Sequence, residues 1–208
     1  MKNFVVSSRI FKDENGKLCT SYDEDVMEMF NKLNLSINSL NITKKLNNNL
    51  LKNYDGLFLM GGGNINKIEK KKINKIRDNY EKKLFQYFKK KNKPIIGICR
   101  GFQNIVSFYG IKLCKIKNHV RTNHHIKINK SRFIKYETLK VNSYHNYAVK
   151  SLPANYLAVS KLKDGSIEIA EHKRKNILCL MFHPERKMSS KNKILKTLKN
   201  FIKWNWFY

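Results

Sequence analysis

The sequence predicts an α/β fold in which a mostly parallel sheet carries helices on both faces. Short apolar runs typical of buried strands alternate with longer segments whose apolar residues recur at helical spacing. Glycine-containing and polar motifs follow directly after several of these strands, where α/β proteins place their ligands. With 208 residues, no internal repeat and no linker composition, the chain is expected to form one domain over residues 1–208.

The first half of the chain is predicted to contain strands and amphipathic helices in alternation, with one polar break. A buried strand precedes each of the two helices, and an extended segment follows the first. In chain order these elements are the strand Phe4 to Ser7, the helical stripe Val26, Met29, Phe30 and Leu33, the extended segment Leu35 to Leu40, the break Asn47 to Asn49, the strand Gly56 to Met60, and the helical stripe Ile73, Ile76, Tyr80, Leu84, Tyr87 and Phe88.

The second half begins at Pro94 with a strand that runs straight into a helix. Residues 166–171 and 176–182 are predicted to form a hairpin, because turn residues bound both segments. A helix with an apolar stripe over residues 194–202 closes the domain. The aromatic tail 204–208 is expected to dock on the core, with a partner or a membrane interface as the other candidate contact.

The formal charge of +28 would attract any polyanion. Only seven of the 43 basic residues are arginine, and asparagine and isoleucine are abundant too, which is what an AT-rich coding sequence produces. No aromatic-interleaved basic patch or recognition-helix pattern is present. We therefore expect a solvated, lysine-rich surface that attracts a small anionic substrate, and no nucleic-acid partner.

The sequence favours a cytoplasmic location. No apolar run approaches the ~20 residues needed to span a bilayer, and the N-terminus has no signal-peptide pattern. The cysteines Cys19, Cys99, Cys114 and Cys179 have no paired or metal-finger spacing, so all four are expected to be reduced thiols.

Cys99 is the candidate nucleophile. It follows the apolar run 94–98 and stands between Gly97 and Gly101, directly before a predicted helix. Such a strand-to-helix turn exposes a side chain above the sheet edge, and the positive end of the helix dipole favours thiolate over thiol. A buried structural cysteine is the alternative, and the flanking glycines argue against it.

His183 is the candidate base. It ends the apolar run 176–182 and precedes Pro184, which keeps His183 extended. Residues i and i+2 of an extended chain project to the same side, so Glu185 can orient the imidazole ring. A solvent-facing strand end would look the same in isolation, but together with Cys99 the pattern favours nucleophilic catalysis.

These segments resemble the class I glutamine amidotransferase-like superfamily, and more closely its γ-glutamyl-amine hydrolase branch. The specific motifs are residues 97–103 and 182–186. Weaker matches occur in the family's order: Ser8-Arg9, the glycine loop Gly61 to Asn64, the segment Arg77 to Glu81, and the segment Val141 to Asn146. Departures are Asn64, where aspartate is usual, and His145-Asn146-Tyr147, where His-His-Gln is common.

The resemblance implies a flavodoxin-like sheet. It also implies a role in an active site for each of several residues. Its implied triad is Cys99, His183 and Glu185, and its implied oxyanion hole uses backbone N–H groups of Gly62 or Gly63 with that of Arg100. A simple turn is the alternative for the glycine loop. Residues implied to bind the substrate are Arg9, Gln103, Asn142, Ser143 and His145. The chemistry needs no cofactor or metal, and His119, His124 and His125 have no recognisable ligand spacing.

The expected reaction is hydrolysis of a γ-glutamyl amide through a thioester on the cysteine. Within the branch, the compact length and the ending 183–186 look most like hydrolases of γ-glutamyl-CDP-amidate in capsule phosphoramidate pathways, and the positive charge suits that anionic nucleotide. Arg9, Arg100, Arg121 and Arg186 are candidate phosphate contacts, because arginine is scarce here. The alternatives are a glutaminase subunit that needs a synthase partner, a hydrolase of another γ-glutamyl amine such as γ-glutamyl-aminobutyrate, and a catalytically idle binding module.

Overall fold

The fold is built on a seven-stranded sheet, seen in a computed structural model that describes residues 1–42 and 44–203. The expected docking of the tail 204–208 therefore lies outside the described residues. From edge to edge the strands are Tyr156–Lys161, Ile167–His172, Ile177–Leu180, Ile95–Ile98, Gly56–Leu59, Lys2–Ser7 and Leu35–Asn38. The last five of these are parallel, and the first two are added antiparallel at one edge. The predicted α/β class is confirmed.

The strands of the main sheet are short and mostly buried. They are β1 (Lys2–Ser7), β4 (Leu35–Asn38), β5 (Gly56–Leu59), β6 (Ile95–Ile98), β11 (Tyr156–Lys161), β12 (Ile167–His172) and β13 (Ile177–Leu180). The predicted hairpin is confirmed, because β12 and β13 pair antiparallel with Ala170 opposite Cys179.

Helices cover the two faces of the sheet. They are α1 (Glu24–Leu33), the short α2 (Asn48–Leu51), α3 (Lys72–Lys90), α4 (Arg100–Phe108) and α5 (Lys191–Lys203). Helices α1 and α5 pack with alternate strand residues such as Phe4 and Phe58 in one core, whereas α3 and α4 pack with Val5 and Leu57 in the other. This alternation follows from the period-2 geometry of strands buried on both faces.

Three smaller pairings lie outside the main sheet. They are the hairpin of β2 (Arg9–Lys12) with β3 (Leu18–Ser21), the hairpin of β8 (Val120–Lys127) with β9 (Thr138–Tyr144), and the pair β7 (Cys114–Lys115) with β10 (Tyr147–Ala148). None of these segments was predicted as a strand from the sequence. Most residues of β2 and β8 are exposed, so these segments lack the apolar runs that mark buried strands.

One local expectation changes. The predicted polar break 47–49 instead starts α2, because the Asn47 side chain accepts a hydrogen bond from the Asn49 N–H (2.8 Å) and caps the helix. All four cysteines are free thiols, as predicted; Cys179 is buried in β13, whereas Cys114 is exposed. Among the described helices, none combines the length and apolarity needed to cross a membrane.

Candidate active site

Cys99 forms the sharp turn between β6 and α4. Its backbone has φ 47° and ψ −101°, a conformation that costs an L residue about 1–3 kcal/mol. Two hydrogen bonds hold it: the Cys99 N–H donates to the Leu180 carbonyl (2.7 Å), and the Gln103 N–H donates to the Cys99 carbonyl (3.0 Å). The cysteine therefore stands at the N-terminus of α4, as the sequence predicted.

The flanking glycines act through close packing, and the strained residue is the cysteine itself. A Cβ at Gly101 would lie 2.0 Å from the Leu59 carbonyl oxygen, and one at Gly97 would lie 2.7 Å from Ile105 Cδ1. Neither glycine has a positive φ, whereas Cys99 does. The two glycines thus let α4 pack directly against β5 and β6, and this packing fixes the turn.

His183 and Glu185 form a buried pair at the end of β13. The distance from His183 Nδ1 to Glu185 Oε1 is 2.6 Å. Asn142 fixes the same loop from the other side: its Oδ1 accepts from the His183 N–H (2.8 Å) and its Nδ2 donates to the His183 carbonyl (2.9 Å). Because Nδ1 is committed to the carboxylate, Nε2 is the ring nitrogen left to face a reacting group.

The ring of His183 is held in its charged form. Burial acts against the charge, but the electrostatic effect of the Cys99 sulfur, a hydrogen bond with that sulfur and the contact with Glu185 raise the pKa of His183 to about 10. Burial raises the pKa of the Cys179 thiol, which has no such partner. Of these two buried cysteines, Cys99 therefore has the environment of a nucleophile.

Gly61 packs against both Cys99 and His183. A Cβ at Gly61 would lie 2.7 Å from His183 Cε1 and 3.6 Å from Cys99 Cβ. The ends of β5, β6 and β13 therefore meet at one point at the carboxyl edge of the sheet. This is where the strand order predicts a ligand to bind.

Arg77 holds the glycine loop through hydrogen bonds to its carbonyl groups. Its guanidinium donates to the carbonyls of Met60 (3.0 Å), Gly61 (3.3 Å) and Gly62 (2.7 Å). The C=O of a trans peptide and the N–H that follows it point in opposite directions. The N–H groups of Gly61, Gly62 and Gly63 are therefore directed away from Arg77, which makes them available as oxyanion donors.

Glu81 anchors this arrangement from a fully buried position in α3. Its carboxylate accepts from four side chains: Ser7 (2.9 Å), Arg77 (2.7 Å), Arg100 (2.7 Å) and Asn104 (2.5 Å). The segment 77–81 matched the family at the level of sequence, but its residues received no role there. The spacing of four between Arg77 and Glu81 places both on one face of α3, which is the signal that could have identified the pair.

The side chain of Arg100 is not available to a ligand. It is buried, and it donates to Glu81, to Asp78 Oδ1 (2.5 Å) and to the Asn64 carbonyl (3.3 Å). Its candidacy as a phosphate contact is therefore wrong, because all three guanidinium nitrogens donate within the protein. The predicted role of its backbone N–H in an oxyanion hole is a separate matter and stays a prediction.

A solvent-open cleft lies on the His183 side of the site. Its walls include Arg9, Tyr22, Gly62, His183 and Arg186. The Arg9 side chain reaches over the loop, since a Cβ at Gly62 would lie 3.0 Å from Arg9 Nε. Asp23 and Glu185 also line the cleft. Arg121, the remaining candidate phosphate contact, lies on β8 and is not among the residues lining the cleft.

Tyr144 connects the cleft to the segment 141–146. The guanidinium of Arg186 lies over the Tyr144 ring, 4.5 Å from its centroid. The ring of Tyr144 in turn meets that of His183 edge to face, with centroids 5.8 Å apart. Arg186 is thus positioned beside the His183 ring by an aromatic side chain.

Three of the side chains predicted to bind substrate, those of Gln103, Asn142 and Ser143, make hydrogen bonds within the protein. Gln103 Nε2 donates to the Tyr147 carbonyl (2.8 Å), and Ser143 Oγ donates to the His119 carbonyl (2.7 Å). Asn142 holds the backbone of His183, and His145 is buried. That this region binds the glutamyl group stays a prediction. Because these side chains are engaged within the protein, we expect main-chain atoms to make that contact.

The fold and the cysteine turn define a hydrolase of the class I glutamine amidotransferase type, and the chain belongs to that family. The family model "Glutamine amidotransferase class-I" matches residues 18–204. A glutamine amidotransferase from Thermotoga maritima has the same fold, with a TM-score of 0.73, 17% identity and 98% of each chain covered.

Two curated relatives indicate the range of activities in this family. A protein of Campylobacter jejuni named gamma-glutamyl-CDP-amidate hydrolase is 32% identical over 148 residues, which cover 71% of this chain and 70% of that protein. The carbamoyl phosphate synthase small chain of Clostridium perfringens is 35% identical over 97 residues, which cover 45% of this chain and 26% of that protein.

Proposed function

We propose that the protein hydrolyses a γ-glutamyl amide whose leaving group is an anionic nucleotide, with γ-glutamyl-CDP-amidate as substrate. The observation that carries the proposal is the pair of arginines at the cleft beside His183. Arg9 and Arg186 line this cleft. The similarity to the Campylobacter protein supports the same substrate class.

The reaction begins at Cys99. Its thiolate attacks the δ-carbonyl carbon of the glutamyl group and forms a tetrahedral intermediate. The backbone N–H groups of Gly62 or Gly63 and of Arg100 stabilise the oxyanion, where one well-placed donor is worth about 3 kcal/mol. The positions of the Met60, Gly61 and Gly62 carbonyls on Arg77 support this role for the glycine loop.

His183 then acts first as an acid and afterwards as a base. The protonated ring donates its proton to the departing nitrogen, the C–N bond breaks, and a glutamyl thioester remains on Cys99. The neutral ring next removes a proton from water, which attacks the thioester and releases glutamate and the free thiolate. The raised pKa of His183 supports a ring that carries its proton at neutral pH.

The position of the leaving group in the site follows from which residue gives it a proton. Since His183 donates to the departing nitrogen, the amine side of the substrate lies against the cleft that His183 lines. Guanidinium groups match phosphate oxygens in a bidentate geometry that an ammonium cannot offer. Arg9 and Arg186 are therefore the residues that we assign to a diphosphate in this cleft.

The catalytic roles are tested by alanine variants of the triad. Cys99→Ala and His183→Ala should each reduce turnover to background with the fold retained. Glu185→Ala should keep a kcat about 10²-fold above that of the other two variants, because an orienting group contributes only part of a triad's effect. The readout is kcat for release of glutamate, with circular dichroism as the folding control. Normal turnover in Cys99→Ala, or a Glu185 variant that is the most damaged of the three, would refute these roles.

The substrate class is tested by comparing γ-glutamyl-CDP-amidate, γ-glutamyl-aminobutyrate and glutamine at low and high salt. We expect kcat/KM to favour the nucleotide substrate by orders of magnitude. This advantage shrinks in 1 M salt, where the Debye length falls to about 3 Å. Equal kcat/KM values for all three substrates at low salt would rule out the nucleotide and leave a general γ-glutamyl hydrolase.

A glutaminase subunit of a two-protein amidotransferase is the second candidate. The similarity to the small chain of a carbamoyl phosphate synthase favours it. In that case the isolated protein would hydrolyse glutamine weakly, and a synthase partner would raise its rate. Full activity of the isolated protein on γ-glutamyl-CDP-amidate distinguishes the two functions.

A further inference from the structure

Two histidines from separate segments of the chain, His119 and His145, lie close to the buried carboxylate of Glu168. His119 precedes β8, His145 follows β9, and Glu168 lies in β12 of the main sheet. One donor atom from each of the three lies within 4.8 Å of the others. The closest recorded approach is 3.6 Å, between His145 Nε2 and Glu168 Oε1.

These three side chains are almost completely removed from solvent. The exposed fractions are 6% for His119, 3% for His145 and 0% for Glu168. Among the described residues, hydrogen-bond partners are absent for His119 Nδ1, for both ring nitrogens of His145 and for both carboxylate oxygens of Glu168. A buried polar group without a partner costs about 1–3 kcal/mol, and a charged one costs more. A cation bound among these atoms would remove that cost.

His119 is oriented as a metal ligand would be. Its Nε2 lies 3.0 Å from Asp164 Oδ2, and that carboxylate is itself fixed by the Ser166 N–H and hydroxyl, both at 2.9 Å. A carboxylate on one ring nitrogen sets the tautomer and leaves the other nitrogen free to ligate. In this case the free donor is Nδ1, the atom without a partner.

We propose that His119, His145 and Glu168 bind one divalent transition-metal ion of the zinc type. Two imidazoles and a carboxylate form a common zinc donor set, whereas magnesium and calcium prefer oxygen ligands only. Tetrahedral bonds of about 2.0–2.1 Å place donor atoms about 3.3 Å apart, so binding draws the three together by up to about 1.5 Å.

His124 is the candidate for a fourth ligand. Its ring centroid lies 4.5 Å from that of His119, and its Nε2 is buried with no recorded partner. If His124 does not rotate into the site, a water molecule completes the tetrahedron.

The metal would fasten the segment that positions His183. The His119 carbonyl accepts from the Ser143 hydroxyl (2.7 Å) and from the His145 N–H (3.0 Å), and Asn142 holds the His183 backbone. In this assignment the side chain of His145 ligates the ion and does not contact the glutamyl group. Metal binding itself is independent of the proposed substrate.

The test is binding of Zn²⁺ and Co²⁺ alone to the Cys99→Ala protein. This background is needed because the active-site thiolate and His183 could bind zinc themselves. Calorimetry should give one equivalent of Zn²⁺. The Co²⁺ complex should show the visible bands of a tetrahedral site without the near-ultraviolet charge-transfer band of a thiolate ligand.

Variants then assign the ligands. In the same background, Glu168→Gln and His145→Ala should lower the affinity at least 100-fold, and Asp164→Asn should lower it 10–100-fold through His119. The matched control is His125→Ala, which removes an exposed histidine of β8. The affinity of this variant for Zn²⁺ should not change. Circular dichroism reports folding, and the isosteric Glu168→Gln variant decides if His145→Ala does not fold.

Two results would overturn the assignment. One is a folded Cys99→Ala protein that binds Zn²⁺ no more tightly than about 10 μM. The other is an affinity that Glu168→Gln leaves unchanged or that His125→Ala abolishes.

Discussion

The Nδ1 atom of His183 lies 2.6 Å from Oε1 of Glu185, and both side chains are buried at the carboxyl end of β13. This contact commits one ring nitrogen to the carboxylate and turns the other toward Cys99. The imidazole ring therefore lies between two groups that raise its pKa, the Cys99 sulfur and the Glu185 carboxylate.

The first prediction concerns the protonation of this ring. In the native protein, His183 should titrate near pH 10 by NMR of ¹⁵N-labelled imidazoles, because the Cys99 sulfur and Glu185 offset the effect of burial. Cys99→Ala removes the sulfur that raises the pKa of His183, so this pKa should fall. The folded-state pKa exceeds the ordinary value of 6.5, so the stabilisation from protonation is complete below pH 6.5 and disappears as the pH rises through 10. Titration at pH 6.5 in both proteins would contradict the ion pair.

The second prediction uses the close contact of Gly61. Gly61→Ala places a methyl group 2.7 Å from His183 Cε1, so the ring must move. A displacement of about 1 Å at a catalytic group can cost 10²-fold in rate, and we expect a loss in kcat of that order. Gly110→Ala is the control for kcat, because nothing lies within 4 Å of its added Cβ; its φ of 84° lowers the stability of that variant without placing an atom against the site. Equal kcat values in the two variants would show that the glycine loop does not position the base.

The third prediction concerns the buried carboxylate beneath the site. Glu81→Gln leaves Arg77 and Arg100 buried beside a neutral group, and losing one partner of a buried ion pair costs about 3–5 kcal/mol. Burial opposes the charge, but Arg100 and Arg77 lower the pKa of Glu81, so the stabilisation is present at neutral pH and is lost as the pH falls through that lowered value.

Urea unfolding at pH 7 measures this effect. The exposed Glu137→Gln serves as control and should stay within about 0.5 kcal/mol of the parent protein. A Glu81 variant as stable as the Glu137 variant would mean that the network adds nothing to the fold.

The fourth prediction concerns the arginines of the cleft. Arg9→Ala and Arg186→Ala should each raise KM for γ-glutamyl-CDP-amidate about 10-fold or more and leave KM for glutamine nearly unchanged, since each removes a charge-assisted hydrogen bond to phosphate. Arg174→Ala, at an exposed turn between β12 and β13, is the matched charge control. Equal effects on both substrates, or an effect of Arg174 as large as that of Arg9, would remove the phosphate role.

The sheet and the turns that contain Cys99 and His183 could be predicted because their signals are local. The run 94–103 and the run 176–185 each contain a buried strand and its end, so the sequence places Cys99 and His183 after strands and Glu185 two residues beyond His183. Helices α1, α3 and α5 could likewise be predicted, because their apolar residues recur with the helical period of 3.6 positions. The family resemblance added the order of the weaker motifs.

The remaining features depend on contacts between distant parts of the chain. Glu81 and Arg100 are nineteen residues apart and meet only when α3 packs against α4. His119 and Glu168 approach because the β8–β9 hairpin folds over the main sheet, and no spacing along the sequence reports that. The strands β2 and β8 expose most of their residues. Of the three inward residues of β8, Thr122, His124 and Ile126, only Ile126 is apolar, so no apolar alternation marks these strands.

The central claim is that Cys99 is the nucleophile, and covalent labelling tests it most directly. A glutamine-mimicking diazoketone should modify one cysteine per chain, and peptide mapping by mass spectrometry should place the label on Cys99. The label should be absent in Cys99→Ala. Modification of Cys19, Cys114 or Cys179 in place of Cys99, or full labelling of the Cys99→Ala protein, would contradict the account.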